Sequence, residues 1–378
     1  MENIEKRVNE TFQYLHEHPE ISWEEVETTK YIANLLSKEN VKVITFPDGP
    51  GVVGEIGNFD GSIPVVALRA ELDALWQNVD GTFQANHSCG HDAHMSIVLG
   101  VFWKILQTPA LFDRIAVKFI FQPAEEKGSG ALKMIEKGVI DNVDYLFGIH
   151  LRPIHEMKFG FATPVLIHGA TVNIDGVIEG DDAHGARPHL THNAIEIGAQ
   201  LVNFINQIHV DPSIPYSVKM TKFHAGGSSN IIPGNATFSL DLRAQTNEQM
   251  ERLKNRVNEI IKNLGQLYNT KINIIHSEEI PAAVTNDEAI HIMKKAIEDV
   301  LGKEGTAPPV ITPGGDDFHF YTIQKPNLKA TLMGLGCDLT PGLHHPNMTF
   351  NKNALMIGVN ILYKAILHTY HLSDKSGK

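Results

Sequence analysis

The sequence predicts an α/β protein: a domain whose mostly parallel sheet is flanked by helices, interrupted by an inserted α+β domain. Three observations carry this. Short apolar β-type runs alternate with helical periodicities over residues 41–151, the rhythm of a doubly wound sheet. From 166 to 279 the order becomes β-α-β-β-α-β, the split βαβ of ferredoxin-like domains. After residue 286 the α/β rhythm resumes. The chain therefore divides into a discontinuous domain, 1–165 with 280–378, and an insertion, 166–279.

The elements follow in order. Apolar spacing predicts helices over 2–17 and 23–39, broken at HPEIS. Strands follow at 41–46 (VKVITF), in GVVGEIG, and at 64–70 (PVVALRA). The stretch NHSCGHDAHM, 86–95, opens a helix running through 94–106. IAVKFIFQ (115–122) reads as a buried strand, 129–138 as a short helix ended by Gly138, and 143–151 as another strand. In the insertion, strands at 171–180, 217–226, 236–245 and 270–278 accompany helices at 193–208 and 247–268. A helix at 286–301, strands at 309–312 and 328–335, and a final helix near 352–371 complete the chain.

Composition bounds the function. The chain has 378 residues, 42% apolar and 20% charged, with a net charge of −12; this fits a well-cored globular protein and disfavours nucleic acid as a partner. Two cysteines, Cys89 and Cys337, do not make a disulfide framework, and a reducing compartment fits. The first twenty residues are charged throughout, without the apolar stretch of a secretion signal, and no apolar run approaches twenty residues. The expected location is the cytoplasm, with no membrane partner. Twenty histidines are generous and tilt the reading toward metal or proton chemistry.

Four stretches offer donors. In NHSCGHDAHM, Cys89 and His91 are two residues apart and cannot share one helix face. They sit on the loop or first turn entering the helix, where exposed N–H groups and nearby imidazoles would lower the thiol pKa. QPAEEKGSG places adjacent Glu125 and Glu126 at a strand's carboxyl end, where α/β sheets bind ligands. One carboxylate there can bind a metal while the other takes a proton from water. GIHLRP brings His150 to another strand end, and GLHHPNMTF offers His344 and His345. Taken singly, each has an ordinary reading: a capped helix start, a solvated acidic turn, a core histidine, a loop. Together, Cys, His and Glu donors converging on the strand ends of one domain point to a hydrolytic metal site with two ions.

With SCGHDAH, QPAEE, GIH, GGDDF (314–318) and LHHP in this order, the chain resembles the dinuclear aminoacylase–carboxypeptidase metallohydrolases. The branch it resembles most comprises bacterial N-acyl-amino-acid amidohydrolases, hippurate hydrolases and auxin-conjugate amidohydrolases. The resemblance implies a catalytic α/β domain with an inserted lid, and a homodimer or higher homo-oligomer formed through that lid. Cys89, His91, Glu126, His150 and His344 match the metal ligands, with Cys89 bridging, and Glu125 matches the general base. His344 is preferred to His345 because the family places the ligand two residues before the proline. In the lid, His184 of DAHGARPH matches an oxyanion-stabilising histidine, supplied within the subunit or by its partner. Asn230 and Arg243 match substrate-binding positions, Arg243 suiting a carboxylate. Asp73 of RAELDALW matches a supporting acid.

The implied reaction is hydrolysis of the amide bond of N-acyl amino acids, by attack of a metal-bridging water with Glu125 as base. The cofactors are two divalent ions, manganese or zinc, with cobalt a third candidate. A dipeptidase or carboxypeptidase, or a deacetylase of N-acetylated diamino acids, is the alternative within the family. A non-catalytic metal- or ligand-binding protein on the same scaffold is the alternative outside it. The chain departs from the family pattern at Glu71, where an Asp is usual, at Trp76, where a proline is usual, and in DDAHG, which lacks the lid motif's first glycine. His87 and His94 are expected beside the ligands rather than among them.

Overall fold

The computed structural model describes residues 3–39 and 41–372; Glu2, at the start of the first expected helix, and residues 373–378 lie outside them. The chain forms two compact units: 1–167, 284–310 and 317–378, and 168–283 with 311–316.

The first unit is built on a seven-stranded sheet. Its centre is parallel: Ala116–Gln122, Val66–Glu71, Tyr145–Pro153 and Lys329–Leu339 lie side by side in that order. Antiparallel strands close both sides, Val52–Gly57 and Lys42–Thr45 at one and Ala162–Thr163 at the other. The central strands are buried on both faces, which is why they read as near-continuous apolar runs. Side chains alternate between two cores: Val66, Leu68, Phe119 and Phe121 face one, Ala67, Ile120 and Leu146 the other. Full burial of one such Phe contributes about 1.5–3 kcal/mol. The helix His91–Leu106 is buried almost all round, hence its weak amphipathic signal. It approaches its neighbours closely at Gly100, where a Cβ would stand 2.4 Å from Val359 and 2.8 Å from Val8.

A hairpin near the site was not expected. Leu75–Val79 and Thr82–Asn86 form an antiparallel hairpin. Its turn is Asp80-Gly81, both at positive φ (50° and 91°), a common two-residue hairpin sequence.

The second unit carries Ala170–Glu179, the helix Ala194–Ile205, Tyr216–Ala225, Ala236–Ala244, the helix Asn247–Leu267 and Lys271–Ile280. The strands Tyr216–Ala225, Ala236–Ala244, Ala170–Glu179 and Lys271–Ile280 pair antiparallel in that spatial order. The long helix buries Met250, Leu253, Val257, Ile261 and Leu264, a single stripe at helical spacing. No helix among the described residues is long and apolar enough to cross a membrane.

Candidate metal centre

The carboxyl ends of the parallel strands bring four sequence-distant stretches of the first unit together. Val66–Glu71 leads into Asp73, Ala116–Gln122 into Glu125 and Glu126, Tyr145–Pro153 carries His150, and the loop after Lys329–Leu339 carries His344. Cys89 and His91 enter from the helix start. Gly90 between them takes φ +91° as the helix N-cap, a conformation glycine adopts freely. At the PAEE turn, Ala124 is also left-handed (φ 50°). There the next helix approaches so closely that a Cβ on Gly130 would overlap the Pro123 carbonyl oxygen at 1.6 Å.

Donor atoms gather into sets of three, each within 4.8 Å of one another: Cys89, His91 and His150; Cys89, Glu126 and His344; and His91, Glu125 and Glu126. The first two share the Cys89 sulfur. His150 Nε2 lies 3.6 Å from Cys89 Sγ. His91 Nε2 stands 3.9 Å from both Glu125 and Glu126, and His344 Nε2 3.5 Å from Glu126. His345 is turned elsewhere, its Nδ1 accepting from the Asn347 N–H. The five expected ligands and the expected base are thus brought together. His91 Nε2 and Glu126 Oε1 are buried with no hydrogen-bond partner among the described residues, which is costly unless a cation is received there. The soft thiolate, imidazole and carboxylate mixture suits a divalent transition metal.

Supporting groups orient these donors. His91 Nδ1 lies 2.8 Å from the Asp73 carbonyl oxygen and His150 Nδ1 2.8 Å from that of Leu151, so each ring donates there and turns Nε2 inward. Asp73 Oδ2 accepts from Ser22 Oγ and the Glu126 N–H, tying the acidic turn to the strand before it. His94 Nδ1 pairs with Glu71 at 2.8 Å while its Nε2 accepts the Leu151 N–H. Both its nitrogens are therefore engaged. Glu71 also meets buried Arg69, which bonds Gln122 and Asp317. Burial opposes ionisation of Glu71, but Arg69 and His94 hold its carboxyl well below the usual range. Neither this Arg69 cluster nor its use of Asp317 from GGDDF was expected; Glu71 in place of Asp was the visible signal.

The expected easily ionised thiol is not found. Burial, then Glu126, pushes Cys89 well above the usual thiol range, with His91 pulling the other way. Burial of the sulfur and the carboxylates facing it set this direction in the metal-free site. His87 is buried with both ring nitrogens unpartnered among the described residues, and burial lowers it to about 4, so it is neutral near pH 7.

In the second unit, Ala183–His184 pairs with Ile231–Ile232, setting His184 beside Asn230, whose carbonyl accepts the Gly185 N–H. His184 is exposed, its Nδ1 accepting from the Ala186 N–H. Arg243 lies on another strand, held by Asp241 at 2.7 Å.

Comparison with known proteins agrees with this chemistry. Residues 67–368 match the peptidase family M20/M25/M40. An IAA-amino acid hydrolase ILR1-like protein of Arabidopsis thaliana is 33% identical over 96% of this chain and 85% of its own. Thermostable carboxypeptidase 1 of Saccharolobus solfataricus is 31% identical over 85% and 84%. The crystal structure of the Bacillus subtilis YXEP protein, described as a dinuclear metal-binding peptidase of the same family, superposes with a TM-score of 0.79 at 26% identity, covering 97% of this chain and 98% of that one.

Proposed function

The chain belongs to the peptidase family M20/M25/M40 and is a metallohydrolase, and from that premise we propose that it hydrolyses the amide bond of N-acyl amino acids. The observation that carries the reading is the pair of three-donor sets sharing Cys89, with Glu125 beside them. Cys89, His91 and His150 would hold one divalent ion, and Cys89, Glu126 and His344 the other. The sulfur suits zinc; manganese or cobalt are the alternatives. Such ions supply Lewis acidity, polarising a carbonyl and making water a stronger acid. Glu125 takes the proton of the attacking water and delivers it to the leaving amine. Its Oε1 accepts the Asp317 N–H at 3.4 Å, which orients the carboxylate. Asp73 positions Glu126 and His91. From the second unit, acting as a lid, His184 stabilises the oxyanion, from its own or a partner subunit. Asn230 and Arg243 engage the substrate, whose carboxylate competes with Asp241 for the guanidinium. The protein works in the cytoplasm as a homo-oligomer.

Similarity to an amino-acid conjugate hydrolase supports acyl-amino acids as the substrate class. Similarity to a carboxypeptidase supports peptide cleavage as the second reading. A panel of N-acetyl, N-benzoyl and long-acyl amino acids with dipeptides, assayed for amino-acid release with added zinc or manganese and with a chelator, tests both. Metal-dependent release from acyl-amino acids is expected. Preferential release from dipeptides would replace this reading with the peptidase one, and no release with metal bound would contradict both.

A further inference from the structure

We propose that Gln77 is a positioning residue that sets His344 for metal binding by holding its backbone; the inference rests on the reading of His344 as a ligand. His344 differs from the other two histidines of the centre. His91 and His150 each have Nδ1 against a backbone carbonyl, the usual way a ligating ring is oriented. No such bond holds the His344 ring among the described residues. Its side chain is 54% exposed, and its backbone is left-handed at φ +62°, a region residues with a Cβ seldom occupy. Whatever keeps that backbone in place keeps the ring in place.

Gln77 does so from the hairpin. Its Nε2 donates to the His344 carbonyl at 2.7 Å. Its Oε1 accepts from Ser88 Oγ at 2.8 Å and from Asn86 Nδ2 at 3.1 Å. Ser88 precedes Cys89, and its own carbonyl accepts the His344 N–H at 2.7 Å. Asn86 reaches on to the Pro346 carbonyl at 3.0 Å. One carboxamide therefore spans the loop of the thiol and the loop of the histidine. Its orientation is determined: a flipped amide would set oxygen against the His344 carbonyl and N–H₂ against the Asn86 N–H₂. The hairpin register places Gln77 opposite Gln84 on one face and Trp76 with Phe83 on the other, so the strand pairing aims Gln77 at the loop.

The test is zinc affinity by competition with a chromophoric chelator, with zinc per chain by mass spectrometry, on full-length Gln77→Leu, His344→Ala and the double variant. His344→Ala should weaken one of two ions. Gln77→Leu should weaken the same ion by about 10–100-fold and leave the other unchanged. In the His344→Ala background, Gln77→Leu should do nothing more, because it acts through that histidine. Gln77→Glu keeps the acceptor but sets a carboxylate against the His344 carbonyl; it should weaken the ion at least as much, and it decides the matter if the leucine variant does not fold. Wild-type affinity in the Gln77 variants, loss of both ions together, or an undiminished Gln77→Leu effect without His344 overturns the proposal. Wild-type binding by His344→Ala removes the ligand reading, and this inference with it.

Discussion

His91 and His344 approach the same carboxylate oxygen of Glu126, at 3.9 and 3.5 Å, yet the chain holds them by different means. His91 opens a helix buried almost all round, and its ring is fully covered and clamped by the Asp73 carbonyl. His344 lies in a loop, half-exposed, with its backbone fixed by bonds from Ser88 and Gln77. One donor is part of the core; the other is attached to it. Stability and metal binding should therefore be coupled at His91 and separable at His344.

Substituting each by alanine breaks or confirms that contrast. His91→Ala leaves a cavity and an unsatisfied Asp73 carbonyl, and should destabilise the metal-free protein by about 1–3 kcal/mol besides losing an ion. His344→Ala should lose an ion with stability within about 0.5 kcal/mol of wild type. Denaturant unfolding of the metal-free variants reads both, and equal losses would end the comparison.

Glu25 sharpens it at the second left-handed residue of the site. The Ala124 N–H donates to fully buried Glu25 at 2.7 Å, so this turn, unlike the His344 loop, hangs on a titratable core group. Burial, then the Asp73 charge, raises Glu25 to about 8. With the folded pKa above the unfolded one, the folded state keeps a proton that the unfolded chain releases. The stabilisation is fully present below the ordinary carboxylate pKa and is lost as pH rises through about 8. Glu25→Gln keeps the acceptor and removes the titration. Relative to wild type it should gain stability between pH 5 and pH 9, by on the order of 3 kcal/mol, since any cost of its unpaired amide N–H₂ is the same at both pH values. A difference independent of pH would show that Glu25 is not the titrating group.

The same contrast explains what could be read from the chain alone. Cys89, His91, Glu125, Glu126 and His150 lie at strand ends or a helix start, so apolar periodicity located them before any geometry was known. The parallel sheet was legible for the same reason: its strands are buried on both faces and read as unbroken apolar runs. His344 is set apart from His345 in part by bonds with residues more than 250 positions away in sequence, which local pattern does not carry. Gln77 in LWQNV looks like any half-exposed strand residue. The hairpin that holds it does carry a signal, Asp80-Gly81 between alternating residues. The raised thiol pKa of the metal-free site was not legible, because burial of the sulfur and the carboxylates arriving from another strand are not local to the helix start.

Glu125 is proposed to move the proton while its neighbours hold the ions. Glu125→Gln is the most direct test, with zinc content and turnover of an N-acyl amino acid measured on the same preparation. Wild-type zinc per chain and turnover lower by about 10²–10⁴-fold are expected. Wild-type turnover with full zinc would contradict it.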